Sequence, residues 1–152
     1  MPKTIISDTS CFIVLSGIDE LDLLQKTYGQ VLTTIEVATE FGQPLPDWIE
    51  IKSPVDKSRM QILELQIDKG EASAIALAME TSQSILILDD YKARKIAKQL
   101  GLEITGTIGV IVKAKLKGII PSIKPYLAKI RKTDFRLADD VEQQAFKEAG
   151  EN

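Results

Sequence analysis

Short apolar runs alternate along the chain with segments whose apolar residues recur every three or four positions. Thr4-Ile5-Ile6-Ser7 predicts a first strand ending at Asp8. Asp19 to Lys26 predicts a helix stopped at Tyr28-Gly29, and Gln30-Val31-Leu32 a second strand. Thr34 to Phe41 predicts a helix, broken by the loop from Gly42 to Asp47, and the alternation in Trp48 to Lys52 a short half-exposed strand. A helix is expected from Asp56 to Ile67. Another opens at Glu71 and is so rich in alanine and leucine that it should be largely buried. Ser84 to Leu88 is a continuous branched run suited to the middle of a parallel sheet. After Asp89-Asp90 an amphipathic helix carries Ala93, Ile96, Ala97 and Leu100 on one side, and Leu102 to Thr105 is a last strand. Gly106-Thr107-Ile108-Gly109 leads into a helix that Gly118 ends, and Pro121 and Ala138 sit near the starts of two more. The polar segment from Asp139 is a docked helix or a frayed tail.

Helices between successive strands require a sheet covered on both faces. The expected architecture is therefore three-layer α/β/α around a central, mostly parallel sheet. A length of 152 residues fits one domain, here with a helical extension from about residue 121. In such sheets ligands bind beyond the carboxyl ends of the strands. Two strands end there in acid, at Asp8 and at Asp89-Asp90. Glu40 lies one helix beyond the second strand, and Glu71 opens a helix that otherwise buries alanine.

Each acid also has a structural explanation. Glu71 suits a helix N-terminus, and Asp89 or Asp90 suits the cap of the helix that follows. Grouped carboxylates, however, raise the cost of each other's ionisation, a conflict that a divalent cation resolves. Mg²⁺ or Mn²⁺ takes a few carboxylates plus water, engages phosphate oxygens and activates water for in-line attack.

Composition narrows the alternatives. There is no histidine, which excludes Ser-His-Asp and Cys-His catalysis and imidazole-bound zinc. The single cysteine, Cys11, sits in the run Cys11-Phe12-Ile13-Val14-Leu15, where a buried structural thiol is expected, in keeping with a reducing compartment. Aromatics are only 5%, so recognition by stacking successive bases on a row of rings is poorly supported. Asp8 interrupts what would be a signal peptide and no run is long enough to span a membrane, so a cytoplasmic protein is expected.

The net charge of -3 conceals an asymmetry. Between Thr105 and Thr133 lie Lys113, Lys115, Lys117, Lys124, Lys129, Arg131 and Lys132 with no acid, leaving 12 basic against 22 acidic residues elsewhere. These cations either track a phosphate backbone or solvate two outer helix faces. The segment at Thr107 can present a hydroxyl and backbone N–H groups to a phosphate, or serve simply as a strand-to-helix turn. Arg94 can meet a phosphate, pair with a site carboxylate or form a surface ion pair. No Walker A or GxGxxG motif is present.

Taken in order, Ile6-Ser7-Asp8-Thr9-Ser10, Val37-Ala38-Thr39-Glu40, Gly70-Glu71-Ala72-Ser73-Ala74, Leu86-Ile87-Leu88-Asp89-Asp90 and Thr105-Gly106-Thr107-Ile108-Gly109 resemble PIN domains, in particular the group related to VapC toxins. The similarity runs from about Thr4 to Gly118. It implies a metal-dependent endoribonuclease, often a homodimer inhibited by a cognate antitoxin. Catalysis and metal binding would rest on Asp8, Glu40, Glu71 and the Asp89-Asp90 pair, either of which can be the aligned ligand. Thr9, Ser10, Arg94, Thr107 and Lys113 would touch the RNA. Two departures stand out: Leu88 occupies a position where a hydroxyl is usual, and Glu71 one where most VapC-like toxins have aspartate. A non-catalytic nucleic-acid-binding module is the first alternative. A receiver-type phosphoacceptor domain ranks last, because Asp8 stands alone after the first strand.

Overall fold

The computed structural model describes residues 3–151. Five strands, β1 (Thr4–Ser7), β2 (Val31–Thr33), β3 (Ile49–Ile51), β4 (Ser84–Ile87) and β5 (Ile104–Thr105), form one sheet in the order β3-β2-β1-β4-β5. All four pairings are parallel, where a mostly parallel sheet was expected. The order reverses at β1, the central strand, whose register sets Ser7 beside Ile87 of β4. The ends of β1 and β4 therefore share the crevice in which such sheets place their ligands.

Alternation along the two central strands separates two cores. Ile5 and Ile87 face α1 (Thr9–Gly17), α2 (Asp22–Tyr28) and α7 (Thr107–Leu116), together with α8 (Lys124–Arg131) and α9 (Asp139–Glu148). Ile6, Leu86 and Leu88 face α4 (Lys57–Leu63), α5 (Lys69–Met79) and α6 (Tyr91–Gln99). The remaining helix, α3 (Ile35–Phe41), packs chiefly on α5 and α1. Helix α5 is buried from Ala72 to Ala78, as its composition predicts. Among the described residues no helix is long and apolar enough to cross a membrane.

Helix α1 is the main departure from the pattern reading, which left Cys11–Leu15 as an unassigned apolar run. The Asp8 carboxylate accepts the Cys11 N–H at 3.0 Å and caps the helix. Cys11, Phe12, Val14 and Leu15 are all buried, so the helix shows no amphipathic period by which to recognise it. Other differences are at ends: the second helix begins at Asp22 rather than Asp19, α4 stops at Leu63, and β5 shrinks to two residues.

The segment from Asp139 is the docked helix rather than the frayed tail. Ala145 and Ala149 are buried in the α1 core, and α9 packs on α7. Beyond α9, Glu151 accepts the Ile123 N–H at 2.9 Å, the Ser122 hydroxyl, and the Lys115 ammonium at 3.1 Å. One carboxylate thus ties the entry of α8 and the side of α7 to the end of α9. The Ser122 hydroxyl first, then the Ile123 N–H and Lys115, draw the Glu151 carboxyl down from 4.5 to about 2. A depressed pKa means that the unfolded chain binds more protons in this interval, so the clasp is complete above about pH 4.5 and is lost as pH falls toward 2. In Glu151→Ala, amides of α8 and α9 should exchange faster while those of β1 and β4 keep their protection. Unchanged exchange in α8 and α9 would remove the clasp.

Candidate active site at the carboxyl edge of the sheet

Asp8 follows β1 directly and is only 2% exposed. One oxygen caps α1; the other accepts the Asp89 N–H at 3.1 Å, linking the ends of β1 and β4. Burial first, and the Asp89 charge second, push the Asp8 carboxyl well above the usual carboxylate range, against the pull of those two N–H groups.

The adjacent aspartates divide their work. Asp89 turns toward α7, where one oxygen accepts the Thr107 N–H at 2.8 Å and the other accepts hydroxyls from Thr107 at 2.6 Å and Ser10 at 2.8 Å. Asp90 caps α6 through the Ala93 N–H at 3.0 Å. Of the pair, Asp89 is the one hydrogen-bonded into the Asp8 centre, although the Asp90 charge is still felt at Glu71.

Asp8, Thr9, Ser10, Glu40 and Glu71 line one cavity of about 500 Å³. Glu40 reaches it from the last turn of α3, and Glu71 from the first turn of α5. Glu71 also closes a capping box: Asp68 accepts its N–H at 2.8 Å, and its own carboxylate accepts the Asp68 N–H at 3.3 Å. The structural and the chemical explanations of this residue therefore hold together.

Burial, then the charges of Asp68 and Asp90, and last that of Glu40, lift the Glu71 carboxyl from 4.5 to about 7, opposed by the Asp68 N–H. A raised carboxyl pKa means that the folded chain holds a proton the unfolded chain has lost. Stability is full below pH 4.5 and declines as pH rises to about 7. With chelator present, Glu71→Gln should remove that decline. Above pH 7 it should gain on the order of 1–2 kcal/mol after allowing for the solvent that reaches the group. Parallel melting-temperature profiles for the two proteins would contradict this.

Gly70 shapes the cavity. A Cβ there would lie 2.9 Å from a Glu40 oxygen and 3.3 Å from the Thr9 hydroxyl. The Thr9 hydroxyl is buried and has no hydrogen-bond partner. An unpaired buried hydroxyl beside a carboxylate is a donor and acceptor left over for a ligand.

Other expected contacts are placed differently. Thr107 is fully buried, and both its N–H and its hydroxyl are committed to Asp89. The carboxylate occupies the helix N-terminus where a phosphate was expected, so Thr107 supports Asp89 instead of touching substrate. Arg94 forms no surface ion pair among the described residues; it donates to the Leu88 carbonyl at 2.7 Å and borders a second cavity with Asp89. Lys113 is exposed six residues along α7, roughly 9 Å from Thr107, and lines neither cavity.

The basic stretch is largely engaged elsewhere. Lys115 holds Glu151, Lys117 the Thr27 carbonyl, Lys129 Glu20, and Arg131 both Asp139 and Glu142. Lys113, Lys124 and Lys132 remain exposed without such partners among the described residues. The pattern reading also missed one wall of the site. Thr133, Asp134 and Phe135, between α8 and α9, line the acidic cavity opposite Asp8, as does Asp68. Only tertiary packing brings residues so distant in sequence to the sheet edge.

The donor set is all oxygen, carboxylate plus hydroxyl, which suits a hard divalent cation. The orphaned Thr9 hydroxyl and the two carboxyls made costly to ionise mark a place where positive charge is wanted. Among the described residues, however, no three acidic or thiol side chains already stand in an arrangement that could hold a metal ion. Glu40 is exposed, and Glu71 gives up only a long 3.3 Å contact if it turns.

No curated protein and no solved structure matches the chain. A family model described as a PIN domain, DUF3368, matches residues 4–151. PIN domains are in general nucleases, typically dependent on a divalent metal. With its all-parallel five-stranded sheet between helical layers and its acids gathered at the carboxyl edge, the chain belongs to the PIN-domain family.

Proposed function

We propose that the protein is an endoribonuclease that hydrolyses RNA phosphodiesters with Mg²⁺ or Mn²⁺. The observation that carries this reading is the meeting of Asp8, Glu40 and Glu71 in one cavity where burial and neighbouring acids make Asp8 and Glu71 costlier to ionise. Asp8, Glu40 and Glu71 would hold the ion, with Asp89 supporting Asp8 and Asp90 adding charge beside Glu71. The ion supplies neutralisation of the phosphate and a more acidic water. The chain does the rest. Thr9 offers its free hydroxyl to a phosphate oxygen or to water, and Ser10 and Thr107 fix Asp89 so that its backbone N–H keeps Asp8 aligned. Without an ion, burial and neighbouring acids lift the Glu71 carboxyl to about 7, and a bound cation would favour its ionised form.

The resemblance to VapC-like toxins extends the proposal to a cytoplasmic toxin that works as a homodimer and is silenced by a cognate antitoxin. A second reading is favoured by one observation, that among the described residues no three acids already stand so as to hold a metal ion. On that reading the fold binds nucleic acid without cutting it.

Labelled single-stranded RNA incubated with Mg²⁺, Mn²⁺ or chelator separates the two. Metal-dependent cleavage, with a melting temperature that climbs with Mn²⁺ concentration as a bound ligand requires, is expected. Salt-sensitive RNA binding with no cleavage at any metal would favour the binding module.

A further inference from the structure

A second cavity of about 740 Å³ adjoins the acidic one. Two features join them. Ser10 lines the first and Asp89 the second, and a 2.8 Å hydrogen bond connects the pair. Phe135, half-buried against the α1 core, lines both.

The second cavity is mixed, with only slightly more apolar than polar surface. Ile104, Ile108 and Val112 border it on one side, and Leu137, Val141 and Ala145 on the other. Its charged lining consists of Arg94 and Arg136 against Asp89, Asp140 and Glu148, and Gln144 adds an amide. A phosphate placed here would meet more negative than positive charge. A flat, neutral, hydrogen-bonding group meets apolar walls, one aromatic ring and a polar rim, the make-up of small-molecule sites in general. Gly106 leaves room for the two charged groups on this wall: a Cβ there would lie 3.0 Å from both the Arg94 guanidinium and an Asp89 oxygen.

We propose that this cavity is a nucleobase subsite, which seats the base of the nucleotide flanking the scissile phosphate, with Phe135 as the partition on which that base stacks. The inference rests on the nuclease reading and specifies its substrate: an unpaired strand, because a base within a duplex cannot leave its stack for a pocket at low cost. A single ring beside an apolar pocket is compatible with the low aromatic content, since only one base is gripped.

The test maps the cut in a mixed-sequence single-stranded RNA and then places one abasic residue at each position in turn. At one position next to the cut, loss of the base should raise KM roughly tenfold. Val141 is 45% exposed on the α9 rim. Val141→Trp fills the mouth of the cavity and should bring the intact RNA to the KM of the abasic one, with the loss carried by KM and not by kcat. Phe135→Leu keeps apolar volume without the ring and should also lose the dependence on that base. Leu116→Trp, at an exposed position outside both cavities, serves as the control and should behave as wild type. Wild-type cleavage that ignores base removal at every position, or a Val141→Trp protein that keeps the full base dependence, would overturn the subsite and leave the nuclease intact. A wild type that cuts no RNA with either metal would overturn both.

Discussion

Asp8→Asn should lower RNA cleavage by on the order of 10³-fold or more while moving the melting temperature by only a few degrees. The loss in rate follows from the central place of Asp8, which sits between the ends of the two strands that define the crevice. Removing its charge weakens the hold on any cation shared with Glu40 and Glu71. The small change in stability follows from two opposed effects. Asparagine caps a helix about as well as aspartate, so the Cys11 N–H keeps its acceptor. Its amide nitrogen cannot accept the Asp89 N–H, which costs about 1 kcal/mol. Against this, the buried charge and its repulsion with Asp89 disappear. Cleavage assays and thermal melts on the same preparations check both halves. An active Asp8→Asn protein would sink the catalytic assignment, and a collapsed one would show that Asp8 is chiefly structural.

The largest loss of stability is expected at Phe12. This ring is wholly buried in α1 and meets Phe41 of α3 at a tilted 5.7 Å between centroids. Truncation to alanine should cost about 3–5 kcal/mol through lost transfer energy and the cavity left behind. For a chain of this size that lowers the melting temperature by roughly 6–20 °C. Because α1 begins at Asp8, Thr9 and Ser10, the same change should also loosen the acidic cavity, visible as weaker stabilisation by Mn²⁺. A fall of less than about 3 °C would mean that α1 is not an anchor.

These two residues mark where the sequence was and was not legible. The ends of β1 and β4, with Asp8 and Asp89 beyond them, could be read because strands rich in branched residues stop abruptly at charge, whereas Glu40 and Glu71 stood out only as acids on helices beside that edge. Helix α1 could not: it is buried on nearly every side, so it lacks the one-sided pattern by which a helix is recognised. The division of labour between Asp89 and Asp90 was also hidden, since both are good caps and only the path of β4 decides which one turns toward Thr107. The partners of the lysines were hidden for a related reason. A run of cations without acids suggests a polyanion surface, yet their partners Glu20, Asp139, Glu142 and Glu151 lie outside the run and meet it only in space. Thr133 to Phe135 carry no motif at all, and their place at the site follows from how Glu151 and Arg131 hold α8 and α9.

The clasp at Glu151 also sets an order in time. A ribosome releases Asp8, Glu40, Glu71 and Asp89 first, and the sheet order allows them to gather once β4 is made. The wall at Thr133 to Phe135 comes later, and it is pinned only when residue 151 is free to reach Ile123 and Lys115. At about 5–20 residues per second the growing chain spends several seconds with its acids assembled and one side of the cavity missing. Along the chain, then, the acids of the site come first and the wall that encloses them comes last.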